Sequence, residues 1–369
     1  VDHDPFDLTA ARAAWAQFAD ILGGADAVLD WPGLELDDLD RAEGLRYLAR
    51  MTEVAIDAQL GTRSSEHPAF RVLSNGFGMD NPDNRYIGTP VDPRFDYVVR
   101  GRVGTLSYLS FAAQNQNFSN SGAITGGAGH LHARELSTDA DGWFEIVASR
   151  QHQPGNWLRF ADDTSLLLAR QTRADPSVEE WVDLEVERLP DAGVPPPLDT
   201  SSISDRLAMA ALYVVGATRW FVDWVDPWIR NPNSFQLADV DEQRRMGGDP
   251  NILAQSGYWT LDTDEQLEVT FRPPDCAYWN IQLCNVWAES FDVRRQVWLN
   301  HTTATVDDDG VARFVIAHER PSDPERARNW LDTAGHRHGL MHMRFVDSTG
   351  GPDGRWPLAT TTTVLSRRE

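Results

Sequence analysis

The stretch NWLDTAGHRHGLMHMRF, residues 329–345, gathers an acid, several histidines and an arginine into one loop and the strand that follows it. A carboxylate beside an imidazole fixes its tautomer and tunes it as a general base. Asp332 with His336 or His342 is therefore the first candidate acid–base pair, with Arg344 beside it. The plainer reading is a polar junction between loop and strand. A second chemistry is metal binding. His336, His338 and His342 form H-x-H-x3-H with Asp332 as a fourth donor, and histidine ligands with an open position suit catalytic zinc or iron.

Further constellations lie elsewhere. PPDCAYWNIQLCNVW reads as a strand whose alternation sends Trp279, Ile281 and Leu283 to one face and Tyr278, Asn280, Gln282 and Cys284 to the other. The apolar set reads as a buried sheet face. The polar set is either a solvated outer face or a concave surface for a ligand. If HGLMHMR runs beside this strand, His342 and Arg344 share that surface with Asn280 and Gln282. GMDNPDNRY places Asp80 and Asp83 around Pro82, an Asx-rich turn that could also set carboxylates at a site mouth. GHLHARELSTDADG brings His130, His132 and Glu135 ahead of Gly142, similar to the cupin metal pattern but with a His-to-Glu gap that is too short. No P-loop, G-x-S-x-G or dinucleotide fingerprint occurs, so no cofactor is expected.

These residues need a scaffold. The first 60 or so residues read helical, with Thr9 as N-cap and Trp15, Phe18, Ala19 and Leu22 at helical spacing. A second helix is expected from about Leu36 to Leu60, with Leu45, Leu48, Ala49, Thr52 and Ile56 on one face. From about residue 67 to 190 short alternating runs and turn residues read as all-β. The proline-rich segment 189–202 is a linker. A long amphipathic helix follows, with Leu207, Ala211, Val214, Thr218, Phe221 and Val225 inward. The chain returns to β texture from about Gly257.

The two β segments echo one another. Tyr108, Asp141-Gly142, Asn156-Trp157-Leu158 and Arg170 in the first answer Tyr278, Asp309-Gly310, Asn329-Trp330-Leu331 and Arg344 in the second, in the same order and at closely similar spacing. Each Asp-Gly reads as a tight hairpin turn and each Asn-Trp-Leu as architecture. The expected fold is therefore α+β, mainly β: two duplicated jelly-roll-like β-sandwich domains, 67–190 and 256–369, with a helical N-terminal element, 1–66, and a helical spacer, 191–255.

Composition bounds the function. At 369 residues the chain exceeds what one hydrophobic core sustains. A net charge of −23 disfavours duplex DNA and anionic membranes. No apolar run is long enough to span a bilayer, and no secretory signal is visible. About eight strand residues hold Cys276 and Cys284 roughly 26 Å apart, too far for a mutual disulfide. Reduced thiols favour the cytoplasm.

FRPPDCAYWNIQLCNVWAESFD, the Asp-Gly of NHTTATVDDDG and NWLDTAGHRHGLMHMRF resemble the C-terminal domain-of-unknown-function family 1214. DNPDNRYIGTPVDPRFDYVVRG more loosely resembles the region of its partner family 1254. The resemblance covers about residues 256–346. It implies jelly-roll sandwiches with helices, often assembled as homo-oligomers, and assigns no activity. Of its motif positions, Gln282, Asp332, His336 and Arg344 carry side chains suited to catalysis.

The residues together point to an enzyme acting by acid–base chemistry, a lyase, hydrolase or isomerase, on a small apolar or polyhydroxylated molecule such as a terpenoid, steroid or sugar derivative. Asp332, His336, His342 and Arg344 would be catalytic. Tyr278, Asn280, Gln282, Trp330, Asp80 and Asp83 would contact substrate. The rivals are a non-catalytic small-molecule or carbohydrate-binding module and an assembly protein. An enclosed pocket with convergent ionisable groups favours the enzyme, and an exposed aromatic platform favours the module.

Overall fold

A computed structural model describes residues 7–61, 64–73, 78–119, 123–195, 197, 202–239, 241, 243, 247–348 and 360–366. Part of the expected linker, residues 196 and 198–201, lies outside them. Helix α1 spans Leu8–Gly23 and α2 spans Asp38–Leu60, joined through a short 3-10 segment. The first sandwich contains β1 (Arg71–Val72), β2 (Asn84–Pro90), β3 (Asp96–Arg102), β4 (Tyr108–Asn117), β5 (Ala123–His132), β6 (Trp143–Ser149), β7 (Trp157–Arg159), β8 (Leu166–Thr172) and β9 (Leu184–Leu189). Helix α3, Ile203–Ile229, follows. The second sandwich contains β10 (Ser234–Leu237), β11 (Ile252–Thr260), β12 (Glu265–Phe271), β13 (Tyr278–Cys284), β14 (Trp298–Asn300), β15 (Ala312–Ala317), the short helix α4 (Pro324–Ala327), β16 (Trp330–Asp332), β17 (His338–Val346) and β18 (Thr361–Ser366).

The duplication is written in the strand order. The first sandwich pairs a five-stranded sheet, β1-β2-β8-β4-β5, with a four-stranded sheet, β7-β6-β3-β9. The second pairs β10-β11-β17-β13-β14 with β16-β15-β12-β18, so every strand of one copy has a counterpart nine places on. The Asn-Trp-Leu echo has a shared physical cause. The Asn156 carboxamide accepts from Ser137 N and donates to the carbonyls of Ser137 and Glu145. Asn329 does the same with Thr305 and Arg313. Trp157 and Trp330 then each donate an indole N–H to a backbone carbonyl, of Ser149 and Ala317. The Asp-Gly turns sit at Gly142 (φ 85°) and Gly310 (φ 77°), a left-handed backbone that glycine adopts without steric cost.

Each sandwich closes over an apolar core. Alternation on β17 sends Met341, Met343 and Phe345 into the core of the second sandwich, against Phe271, Phe314 and Ile316 of the facing sheet. The opposite face, His338, Leu340, His342 and Arg344, turns toward the helices and the first sandwich.

The helical expectations need three corrections. Asp7, not Thr9, caps α1, its carboxylate accepting from the Thr9 and Ala10 amides. The buried face of α2 is Asp40, Glu43, Gly44, Tyr47, Met51 and Ala55, while Leu45 and Ile56 are exposed. The apolar phase misleads because the inward face carries acids, which meet histidines. The spacer is helical only over Ile203–Ile229, since β10 and the start of β11 already belong to the second sandwich.

Candidate functional site

The five-stranded sheets turn their non-core faces toward each other, with α3 alongside, and line a partly open cavity of about 510 Å3. That volume lies within the roughly 300–1,000 Å3 typical of small-molecule pockets. Helix α3 supplies an aromatic wall. Trp220, Trp224 and Trp228 recur every four residues, hence on one stripe, with Phe221 and Pro227 beside them. Trp224 stacks on Trp220 with ring centroids 5.7 Å apart and meets Trp228 edge-on at 5.2 Å.

The opposite wall is polar. Ser256 on β11 lies directly across the ladder from His342 on β17, and its Oγ is 2.7 Å from His342 Nδ1. Burial, and then the charge of Arg344, push His342 well below its ordinary value, so the ring is neutral. Arg344 donates Nη1 to Gln282 Oε1 at 2.6 Å and Nη2 to the Met79 carbonyl. Asp80 borders the same space. From the first sandwich come Gln114 and Arg170, with Asp249 from the turn before β11.

Two Asx-Pro-Asx turns lock the sheets together. Asn81-Pro82-Asp83, just before β2, reaches the second sandwich, where Tyr278 Oη donates to Asp83 Oδ2 at 2.8 Å and Asn280 Nδ2 to Asn81 Oδ1 at 3.1 Å. Asp249-Pro250-Asn251, before β11, reaches back, and Asp249 accepts from Tyr108 Oη at 2.8 Å and Ser110 Oγ at 2.6 Å. Burial alone would raise the Asp249 carboxyl, but His130, Arg170 and Ser110 outweigh it and hold it below the usual range. For Asp83 burial prevails over the donors Asn300, Tyr278 and Trp298, and its carboxyl is raised.

The predicted site residues therefore separate into groups. His342 and Arg344 share the cavity. Tyr278, Asn280 and Gln282 are fully buried beneath it, against the Asp80–Asp83 turn, so the solvated alternative for that face does not hold. Asp332 ends β16 in the four-stranded sheet and pairs with Arg295 at 2.9 Å. Trp330 is fixed on the Ala317 carbonyl. His336 finds its acid not in Asp332 but in Glu43 of α2, at 2.9 Å, and stacks on Phe291. His338 bridges Tyr258 Oη (2.5 Å) and Asp40 Oδ2 (2.7 Å). Asp332 and His336 are thus not brought to His342 and Arg344: Asp332 lies in the four-stranded sheet, and His336 is held by Glu43 of α2.

The metal alternatives meet the same dispersion. His336, His338 and His342 each engage a different partner. His130 pairs with Asp249, His132 Nε2 lies 2.8 Å from Asp347, and Glu135 accepts from the His132 amide. Among the described residues, Asp37, Asp40 and His338 do offer ligand atoms within 4.8 Å of one another. There Asp37 and Asp40 already form the capping box of α2 and His338 is held at both nitrogens. The donor set fits a helix start better than a metal.

Sequence reasoning missed Ser256, Asp249, Arg170 and the tryptophan stripe. The stripe was legible as W-x3-W-x3-W. The Asn81-Pro82-Asp83 and Asp249-Pro250-Asn251 echo was legible too.

Fold and site together define a tandem β-sandwich protein whose two sheets and one helix line a small-molecule-sized cavity. Residues 253–349 match the family described as protein of unknown function (DUF1214). The structure is similar to that of an uncharacterized protein from Burkholderia cenocepacia, at 35% identity and a TM-score of 0.89, over 96% of this chain and 97% of that one. This chain and the Burkholderia cenocepacia protein belong to one family, and residues 253–349 carry its DUF1214 match. A protein from Vibrio parahaemolyticus shares the fold at 9% identity and a TM-score of 0.51, over 86% of this chain and 96% of that one. No curated protein matches the chain. No described helix is long and apolar enough to cross a membrane.

Proposed function

We propose that the chain is an enzyme performing acid–base chemistry, as a lyase, hydrolase or isomerase, on a small, largely apolar molecule held in the inter-sheet cavity. The observation that carries this reading is a neutral, buried His342, oriented through Nδ1 by Ser256, facing a tryptophan-walled space beside Arg344. A neutral imidazole held in one orientation keeps a lone pair for a substrate proton. The burial and Arg344 charge that hold it neutral make it a weak base until an anion forms beside the guanidinium, which also stabilises that anion. Ionisable groups converging on the cavity favour an enzyme over a binding module. Free Cys276 and Cys284 favour a reducing compartment. The first sandwich is read as the partner family 1254-like region, on its loose resemblance over DNPDNRYIGTPVDPRFDYVVRG.

A thermal-shift screen of terpenoids, steroids and sugar derivatives supplies ligands, and product formation from each is followed by mass spectrometry. His342→Asn retains an acceptor for Ser256 and should lower turnover by about 10²–10⁴ with little change in melting temperature. Ligands that bind tightly but emerge unconverted would replace the enzyme by a binding module.

A further inference from the structure

The duplication allows the two halves of the cavity to be compared position by position. Arg170 lies opposite Tyr86 and Ser110 in its sheet, and Arg344 lies opposite Ala254 and Asn280 in the matching places. Both side chains are buried and both border the cavity. Each gives Nη2 to the carbonyl two residues before the Asx-Pro-Asx turn, Gly247 for Arg170 and Met79 for Arg344. The surroundings then diverge. Arg170 has the Asp249 carboxylate 3.7 Å away. The residue matching Asp249 in the other turn is Asn81, which has the same backbone bond and Asx geometry but no charge.

Arg344 is consequently held by two neutral acceptors, the Gln282 carboxamide and the Met79 carbonyl, and forms no ion pair among the described residues. His342, two residues away on the same face, supplies no negative charge in either protonation state. Asp80 also borders the cavity. A buried guanidinium hydrogen-bonded only to neutral acceptors gains from a charged partner, and its planar fork matches a carboxylate in two-point contact. The whole chain carries a formal net charge of −23, so attraction for an anion has to be local to this spot.

We propose that the cavity selects a ligand bearing one anionic group, a carboxylate or a singly charged oxoanion, seated on Arg344 with its apolar body along Trp220, Trp224 and Trp228. This rests on the cavity being the working site of the proposed enzyme and narrows its substrates to amphipathic acids.

The test is calorimetric titration of the intact protein with naphthylacetate and with its uncharged counterpart naphthylethanol at neutral pH. The acid should bind about tenfold or more tightly than the alcohol, the range expected of a charge-assisted hydrogen-bonded contact. Arg344→Met should bring the two affinities to near equality while alcohol binding persists. Arg344→Lys keeps the charge but loses the fork and should give an intermediate preference, which secures the result if Arg344→Met folds poorly. Trp224→Ala should weaken both probes alike and leave their ratio unchanged. Equal binding of acid and alcohol, binding of neither, or an acid preference that survives Arg344→Met would each overturn the inference. The acid–base reading fails separately, when ligands from the thermal screen stay unconverted.

Discussion

Replacing Glu43 by Gln tests the joint between α2 and the second sandwich. His336 presents Nδ1 to the Thr333 carbonyl at 3.1 Å and Nε2 to the Glu43 carboxylate at 2.9 Å. Both partners are acceptors, so both ring nitrogens carry hydrogen and the ring is an imidazolium. Burial opposes that charge, but the hydrogen bond and charge of Glu43, with help from Asp40, outweigh it and raise His336 above 6.5. Burial likewise opposes the Glu43 carboxylate, and His336, Asn285 and Arg46 outweigh it and hold Glu43 below 4.5. Glu289 faces the same cluster and binds Arg46 and Arg50. A raised histidine gives stability that is whole below its unfolded value and is lost as pH rises through the folded one. A depressed carboxylate gives stability that is whole above its unfolded value and is lost as pH falls through the folded one. The pair therefore contributes most between about 4.5 and 6.5.

The side chains of His336 and Glu43 are 4% and 10% exposed, whereas Arg46 at 46% is screened by water and counts for little. Removing one partner of a buried pair outright costs about 3–5 kcal/mol. Glutamine retains an acceptor and a donor that a neutral imidazole can use, so Glu43→Gln should cost less, about 1–3 kcal/mol. Urea denaturation of both proteins at about pH 5.5 and about pH 8.5 should show the larger loss at the acidic value, where the imidazolium is the form that loses its partner. The NMR titration of His336 should move down in the variant. An equal loss at both pH values with an unmoved titration would refute the charged pairing.

Asn329→Ala removes three hydrogen bonds in a buried turn and should cost about 2–3 kcal/mol by chemical denaturation. Asn156→Ala, in the more exposed counterpart, should cost about 1 kcal/mol, and equal losses would contradict the burial argument. Tyr108→Phe leaves the charged Asp249 short of a donor and should lower stability by about 1–3 kcal/mol, with Tyr278→Phe at the neutral end of that range because Asp83 keeps Asn300 and Trp298. Thiol titration of the denatured, unreduced protein should find both cysteines. In the native state Cys284, buried and pushed up to about 12, should react far more slowly than in the denatured protein.

The parts legible in the sequence are those where one periodicity governs. Alternation along HGLMHMRF placed Met341, Met343 and Phe345 on one face and His342 and Arg344 on the other, and the Asn-Trp-Leu echo marked the duplication because the same carboxamide satisfies the same turn twice. Helix α3 was legible because its inward face is apolar throughout. Where polar residues face inward, apolar counting chose the wrong side. Asp40 and Glu43 of α2 look like solvent residues until His338 and His336 arrive from nearly three hundred residues away. The same long-range meeting explains why Asp332, the acid nearest His336 in sequence, is not its partner, and why Ser256 could be matched to His342 only once the β11–β17 register was known.

The site's position follows from how the copies differ. The reciprocal turns need only Tyr108, Tyr278 and an Asx at 81 and 249, and these hold the two sheets at a fixed separation in both directions. That framework is indifferent to what the remaining facing positions carry. In the first copy they are Leu168, Gly88 and an arginine neutralised by Asp249. In the second they are His342, Ser256 and an arginine facing Asn81. Replacing leucine by histidine and glycine by serine at paired positions adds a polar dyad to a buried face that already carries Asn280 and Gln282, and exchanging an aspartate for asparagine leaves one guanidinium facing a neutral turn. Each change raises the folding cost of the second half unless a ligand supplies the missing partner. The His342–Ser256 dyad and the guanidinium facing Asn81 therefore belong to the second copy, and the tryptophan wall to the helix that connects the two.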